Sequence, residues 1–319
     1  MKKVYPLAFF ICILFLIFYV IFAYTGIIFR AETLEEPIGS ISGWCERVSS
    51  GIFREPMNAF SNVAFMVSGL FIFKILNSDK TNNENKFYGF NKISILYGTA
   101  VIFLGPGSML MHGTHTEWGG WADNLSMIMF IIFPWLYNLK EMGRWSENRF
   151  IYSYFFIVIA YALARWFFGG RLGIGLDLFG LSIGLWIISE YLFRFWSPKA
   201  RWISGFVGFI VAFIFGITPF EIFSNLENYW WVSLFWIPAI FSSNKSRTTR
   251  KYTPWFFLGT LSFLLAYAIW LQGQPYSPSW FTDSWCNPDS FIQPHAFWHY
   301  ITAFSTWSFF LFLRTEKQI

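Results

Sequence analysis

The stretch ISILYGTAVIFLGPGSMLMHGTHTEWGGWADNLSMIMFIIFPWLYNL (93–139) decides the fold. Two apolar runs, 93–112 and 122–139, flank a short loop rich in glycine and tryptophan. Neither run contains Lys, Arg or Glu, and each is long enough to cross roughly 30 Å of hydrocarbon as a helix. Similar runs recur at 7–29, 56–77, 150–169, 174–195, 202–220, 228–243, 254–272 and 294–313, so about ten spans are expected. The expected fold is all-α, a polytopic transmembrane helix bundle.

Composition agrees. The 319 residues are 55% hydrophobic and 24% aromatic, but only 13% are charged, about half the share of a soluble domain. The net charge of +5 lies in loops and forms no basic stripe with interleaved aromatics, which excludes a nucleic-acid partner. Of the 23 Lys and Arg, only Arg30, Arg47, Arg54, Arg165 and Arg171 fall on one side of a ten-span arrangement. The positive-inside rule then predicts a multi-pass integral membrane protein with both termini cytoplasmic. The first run follows Met-Lys-Lys and could be a secretory signal. Its apolar stretch is long for one, and no clear small-residue cleavage site follows. The reading is therefore a retained anchor over residues 1–30 and one transmembrane domain over 31–319. Glu190 and Glu221, near span ends, are expected at the membrane interface.

The opening stretch also carries polar groups that are costly at a membrane boundary. Ser108 and His112 end the third span, Asp123 begins the fourth, and His295 and His299 begin the tenth. All five are expected at similar depth on the extracytoplasmic side. His295 and His299 stand at i, i+4 and share a helical face. Three neutral imidazoles with an open fourth position describe a catalytic zinc site. Zinc lowers the pKa of its bound water towards about 7. Asp123 can hold that water or take its proton, and Ser108 can donate to a carbonyl oxygen as it gains charge. The plainer alternative is three helix-packing histidines. The remaining His115 is expected at the surface of the outer loop.

Cys45 and Cys286 lie in outer loops of one compartment, where they are either bridged or two unrelated thiols; Cys12 sits inside the first span. In GWCERVSSGIFREPMNAFSN (43–62), Glu55 and Pro56 suit a helix start. Glu46 and Glu55, with backbone carbonyls near Trp44, could also hold calcium, and the two readings are compatible. Asn58, Ser61 and Asn62 are expected to hydrogen-bond to neighbouring helices.

Together, WCE with EPMNAFSN (44–62), GPGSMLMH with DNLSM (105–127) and CNPDSFIQPHAFWH (286–299) resemble the alkaline ceramidases. That family falls in a wider group of seven-span metal-dependent hydrolases with adiponectin-type receptors and GPI-lipid remodelling proteins. The resemblance implies a seven-helix core, here with an N-terminal span and two extra spans. It implies zinc on His112, His295 and His299, with Ser108 and Asp123 completing the catalytic set. It further implies a Cys45–Cys286 disulfide and a calcium site at Trp44, Glu46 and Glu55. Gly43 and Val48 stand where the family has aspartate and asparagine, which weakens the calcium expectation. The implied activity is hydrolysis of the ceramide amide, or of a related N-acyl lipid, to sphingoid base and fatty acid, and no obligate protein partner is expected. Rival readings are a lipid-ester hydrolase and a receptor or sensor that keeps zinc for structure.

Overall fold

The computed structural model describes residues 4–29, 36–79, 85–169, 177–276 and 285–319. It is 72% helical, with strand confined to two-residue pieces at Thr248–Thr249 and Lys317–Gln318. The long helices are α1 (Val4–Tyr24), α3 (Val63–Ser78, entered through the short α2, Pro56–Ser61), α4 (Lys92–Thr114), α5 (Glu117–Met142), α6 (Glu147–Phe168) and α7 (Leu178–Phe195). After α7 come the short α8 (Pro198–Ser204), α9 (Val207–Ile214), α10 (Pro219–Ser224), α11 (Leu226–Tyr229) and α12 (Ile237–Phe241), then the long α13 (Trp255–Gln272) and α14 (Pro294–Leu313). Six described helices, with α2 and α3 taken as one, are long and apolar enough to cross a membrane. Their lipid-facing residues stay exposed, as with Phe155, Phe156, Ile159 and Leu163 on α6 and Leu258, Leu261, Leu264 and Leu265 on α13. Such continuous apolar surface suits hydrocarbon, not water. α5 and α14 are 26 and 20 residues long, about 39 and 30 Å at 1.5 Å per residue.

Local sequence sets the helix ends. Asn91 caps α4 through Ile93 N and Ser94 N, and the Ser94 hydroxyl accepts from Asn91 N in return, which satisfies N–H groups that have no partner inside the helix. Ser146, Asp177 and Ser197 each accept one backbone N–H at the start of α6, α7 and α8. The runs expected as spans at 202–220 and 228–243 differ from expectation: they fold as short helices and a 3-10 turn. Gly216 turns the backbone to φ 79°, and Pro219 and Pro238 each open a new helix, so the apolar runs are broken by residues that cannot continue a helix.

Two compact units result: one holds residues up to 126 together with 250–317, the other holds 127–249 and 318–319. In the first, α14 packs on α13, α3 and α2, and α3 packs on α4 and α1. At the C-terminal end of α14, Arg314 pairs with Asp79 and Arg250 with Glu316, and the Asn85 amide donates to the carbonyls of Leu313, Arg314 and Glu316. In the second unit, Phe133, Tyr137, Phe150 and Tyr154 form an aromatic cluster. Glu190, expected at an interface, is buried there and accepts from Asn138 at 2.9 Å. Glu221 is exposed and caps α10 through Thr218.

Candidate metal centre

Every candidate site residue belongs to the first unit. Pro294 opens α14, so His295 and His299 fall on its first turns, one above the other on one face. His112 comes from the last turn of α4. The three rings meet, with centroids 4.7 Å (His112 to His295), 5.2 Å (His112 to His299) and 4.6 Å (His295 to His299) apart. One ligand nitrogen from each lies within 4.8 Å of the others, and all three residues are buried.

Their second nitrogens show which atoms are free. Glu55 Oε2 accepts from His112 Nδ1 at 2.5 Å. The Ser61 hydroxyl donates to the Asn58 carbonyl, so at 2.7 Å it accepts from His299 Nδ1. Both rings therefore carry their proton on Nδ1 and turn an Nε2 lone pair inward. His112 Nε2 stands 3.0 Å from His295 Nε2. Tetrahedral zinc with bonds of about 2.0–2.1 Å needs nitrogens about 3.3–3.4 Å apart, so small ring movements would seat it. The donor set is all nitrogen and buried, which fits zinc and not a hard oxygen-seeking cation.

A strap over 49–55 holds this end of α4. The final carbonyls of a helix have no partner within it, and when buried they need one. Arg54 N donates to the Gly113 carbonyl at 3.0 Å and Glu55 N to the His112 carbonyl at 2.9 Å. His115, in the left-handed region at φ 53°, closes the helix onto the Met111 carbonyl. The loop before the strap is tied to the approach to α14 by a Cys45–Cys286 disulfide. A fork from Arg47 to Asp289 at 2.6 and 2.8 Å adds to it; the guanidinium holds the Asp289 carboxyl below its ordinary range. Trp44 lies edge-on to His112, ring centroids 5.0 Å apart, and 5.8 Å from His295.

Ser108 lies one turn before His112 on α4, with its side chain beside the Asp123 carboxylate of α5. Two glycines allow the close approach. A Cβ on Gly107 would sit 2.5 Å from Ser126 Cβ and 2.7 Å from the Ala122 carbonyl, and one on Gly119 would sit 2.7 Å from the Leu110 carbonyl. Small residues let helix backbones come together in this way. Ser108 and Asp123 are both buried.

Residues 36–318 match the family model described as Ceramidase. The chain belongs to the ceramidase family. A search among curated proteins returned no match. Membership supports a ceramide-hydrolysing enzyme, a hydrolase of amides with a lipid substrate and a membrane setting.

In this ceramidase the loop's carboxylates bear on the calcium expectation, and one histidine lies elsewhere than the sequence suggests. The expected calcium group of Trp44, Glu46 and Glu55 has its carboxylates already engaged. Glu46 accepts from Met57 N at 2.7 Å and Asn58 N at 2.8 Å, so it caps α2, where an anion is favoured. Burial raises its carboxyl above the ordinary range against those two donors. Glu55 is 0% exposed and also accepts from His115 Nε2 and Asn58 Nδ2. Burial opposes its charge, yet His112 and His115 outweigh burial and hold the carboxyl well below its usual range. His115 is not the surface residue expected: its side chain is 7% exposed and stands between Glu55 and Glu36. The spacing of His112 and His115, one turn apart at the end of α4, is the signal that could have found it.

Proposed function

We propose that this ceramidase-family chain is a zinc-dependent lipid amidase working within the membrane, which cleaves ceramide or a related N-acyl lipid to sphingoid base and fatty acid. The observation that carries the reading is the convergence of three buried imidazoles, two of which, His112 and His299, have their outer nitrogens committed to Glu55 and Ser61. His112, His295 and His299 would hold the zinc. When bound, zinc supplies Lewis acidity, acidifying water and polarising a carbonyl.

The chain's own groups do the rest. Ser108 donates to the amide carbonyl oxygen as charge builds on it. Asp123, beside Ser108, takes a proton from the attacking water. As the new C–O bond forms and the C–N bond breaks, Asp123 returns that proton to the nitrogen, which would otherwise leave as a poor amide anion. Glu55 and Ser61 fix the tautomer and angle of two histidines. Trp44 screens the histidines from bulk water. The charge pattern supports cytoplasmic termini and an extracytoplasmic site.

The test is metal analysis of the purified full chain alongside lipid mass spectrometry with a ceramide and its ester analogue. About one zinc per chain and release of sphingoid base are expected, both lost in His295→Ala. Hydrolysis that persists in His295→Ala and Asp123→Ala would overturn the reading, and cleavage of the ester with the ceramide left intact would reassign the substrate.

A further inference from the structure

The helix α1 lies outside the 36–318 stretch that matches the ceramidases. Most of its surface faces outward, as expected of a plain anchor, but one polar residue does not. Tyr19 is 2% exposed, and its hydroxyl donates to the Ile52 carbonyl at 2.9 Å. Its ring stacks on Phe53 with centroids 4.8 Å apart and planes 12° from parallel. The next two residues of that strap, Arg54 and Glu55, are those whose N–H groups bond the last turn of α4. A 3-10 turn after α1, Ile27–Phe29, sets the Phe29 ring under the Arg54 guanidinium at 4.1 Å. From the other side, a Cβ on Gly113 would sit 2.2 Å from the Tyr19 hydroxyl oxygen. Residue 113 must stay without a side chain for Tyr19 to reach its place.

We propose that Tyr19 of α1 is a positioning residue of the metal centre: by pinning Ile52 and Phe53 it holds the strap against α4, so that Glu55 keeps its grip on His112 Nδ1. This rests on the reading of His112 as a zinc ligand. It also makes α1 a retained part of the catalytic unit. A ring that only packed the anchor would need neither a hydrogen bond to the strap nor a glycine at 113.

The test uses Tyr19→Phe in the full chain, which keeps the stacked ring and removes the hydroxyl. Amide exchange at Arg54 and Glu55 should speed up about tenfold through local opening. Zinc should be lost to a competing chelator with about three- to tenfold weaker affinity, the lower edge of what outer groups contribute to a metal site. Turnover should show a lower kcat at unchanged KM. Gly113→Ala, which displaces the ring from the opposite side, should give the same pattern, and the double variant should be no worse than the worse single one because both act on one contact. Unchanged exchange and zinc affinity in Tyr19→Phe overturn the inference, as does a mature chain whose intact mass lacks α1. The exchange readout is independent of metal and turnover. Failure of the inference is therefore separable from failure of the amidase reading, which shows instead as activity surviving in His295→Ala.

Discussion

Glu55→Gln isolates the contribution of one carboxylate to the histidine cluster. Glu55 receives donors on both oxygens: His115 Nε2 at 2.9 Å on Oε1, and His112 Nδ1 at 2.5 Å with Asn58 Nδ2 at 3.0 Å on Oε2. Glutamine offers one acceptor oxygen and one NH2 group. Whichever way the amide turns, its NH2 faces a donor, so at least one bond is lost and becomes a contact between donors. A hydrogen bond to a charged group is worth about 1.5–3 kcal/mol. The side chain is fully buried, so water cannot replace what is lost. If the amide keeps its oxygen towards His112, the ring holds its tautomer and loses only the charge. If it turns the other way, the Nδ1–H has no acceptor and the ring rotates. Across these two cases zinc affinity should fall about 10–100-fold, about 1.4–2.8 kcal/mol, and kcat should fall with it at little change in KM. Competition against a chromogenic chelator measures the first quantity and lipid mass spectrometry the second. Zinc affinity within about twofold of wild type, with normal turnover, would refute the idea that Glu55 orients His112.

Other perturbations reach other parts of the site. Gly107→Ala puts a methyl against Ser126 and the Ala122 carbonyl; overpacking of about 1–3 kcal/mol should move Asp123 from Ser108 and lower kcat at least tenfold while zinc content stays at wild-type level. Burial raises the Glu46 carboxyl above its ordinary range, so its stabilising contribution is complete below that ordinary range and declines as pH rises through the folded-state value. The difference in melting temperature between wild type and Glu46→Gln should therefore shift against wild type from pH 4 to pH 7, and a pH-independent difference would contradict this. Cys286→Ser, or reduction of the Cys45–Cys286 bridge, should cost about 2–4 kcal/mol and weaken zinc retention; a reduced protein of unaltered melting temperature and zinc content would count against the loop's role.

Much of this molecule is legible in its sequence, for reasons that differ by element. α4 and α14 are readable because their apolar length is dictated by hydrocarbon and their ends by Asn91, Pro294 and the change in polarity beyond. His112, His295 and His299 stand out because imidazoles are rare in such a chain, and Ser108 and Asp123 because each sits beside them at the same end of its helix. The shared compartment of Cys45 and Cys286 leaves their pairing open until the loops are seen side by side. The short helices between 198 and 241 are hidden by hydropathy, which averages over Gly205, Gly216 and Pro219 without registering the breaks. The role of Glu55 is hidden by chain distance: 57 and 60 residues separate it from its partners His112 and His115, and no local pattern encodes such a contact. Tyr19 is least visible, one aromatic among many in an apolar run.

The separation of the chain into two units bears on how such proteins can change over generations. Each nitrogen, hydroxyl and carboxylate assigned to the chemistry comes from before residue 127 or after residue 249. The 127–249 segment supplies none of them, although the family match runs through it, so change within it reaches the site only through the helices it connects. The parity of its crossings is constrained, since an odd change would deliver α13 and α14 upside down and carry His295 and His299 to the wrong leaflet.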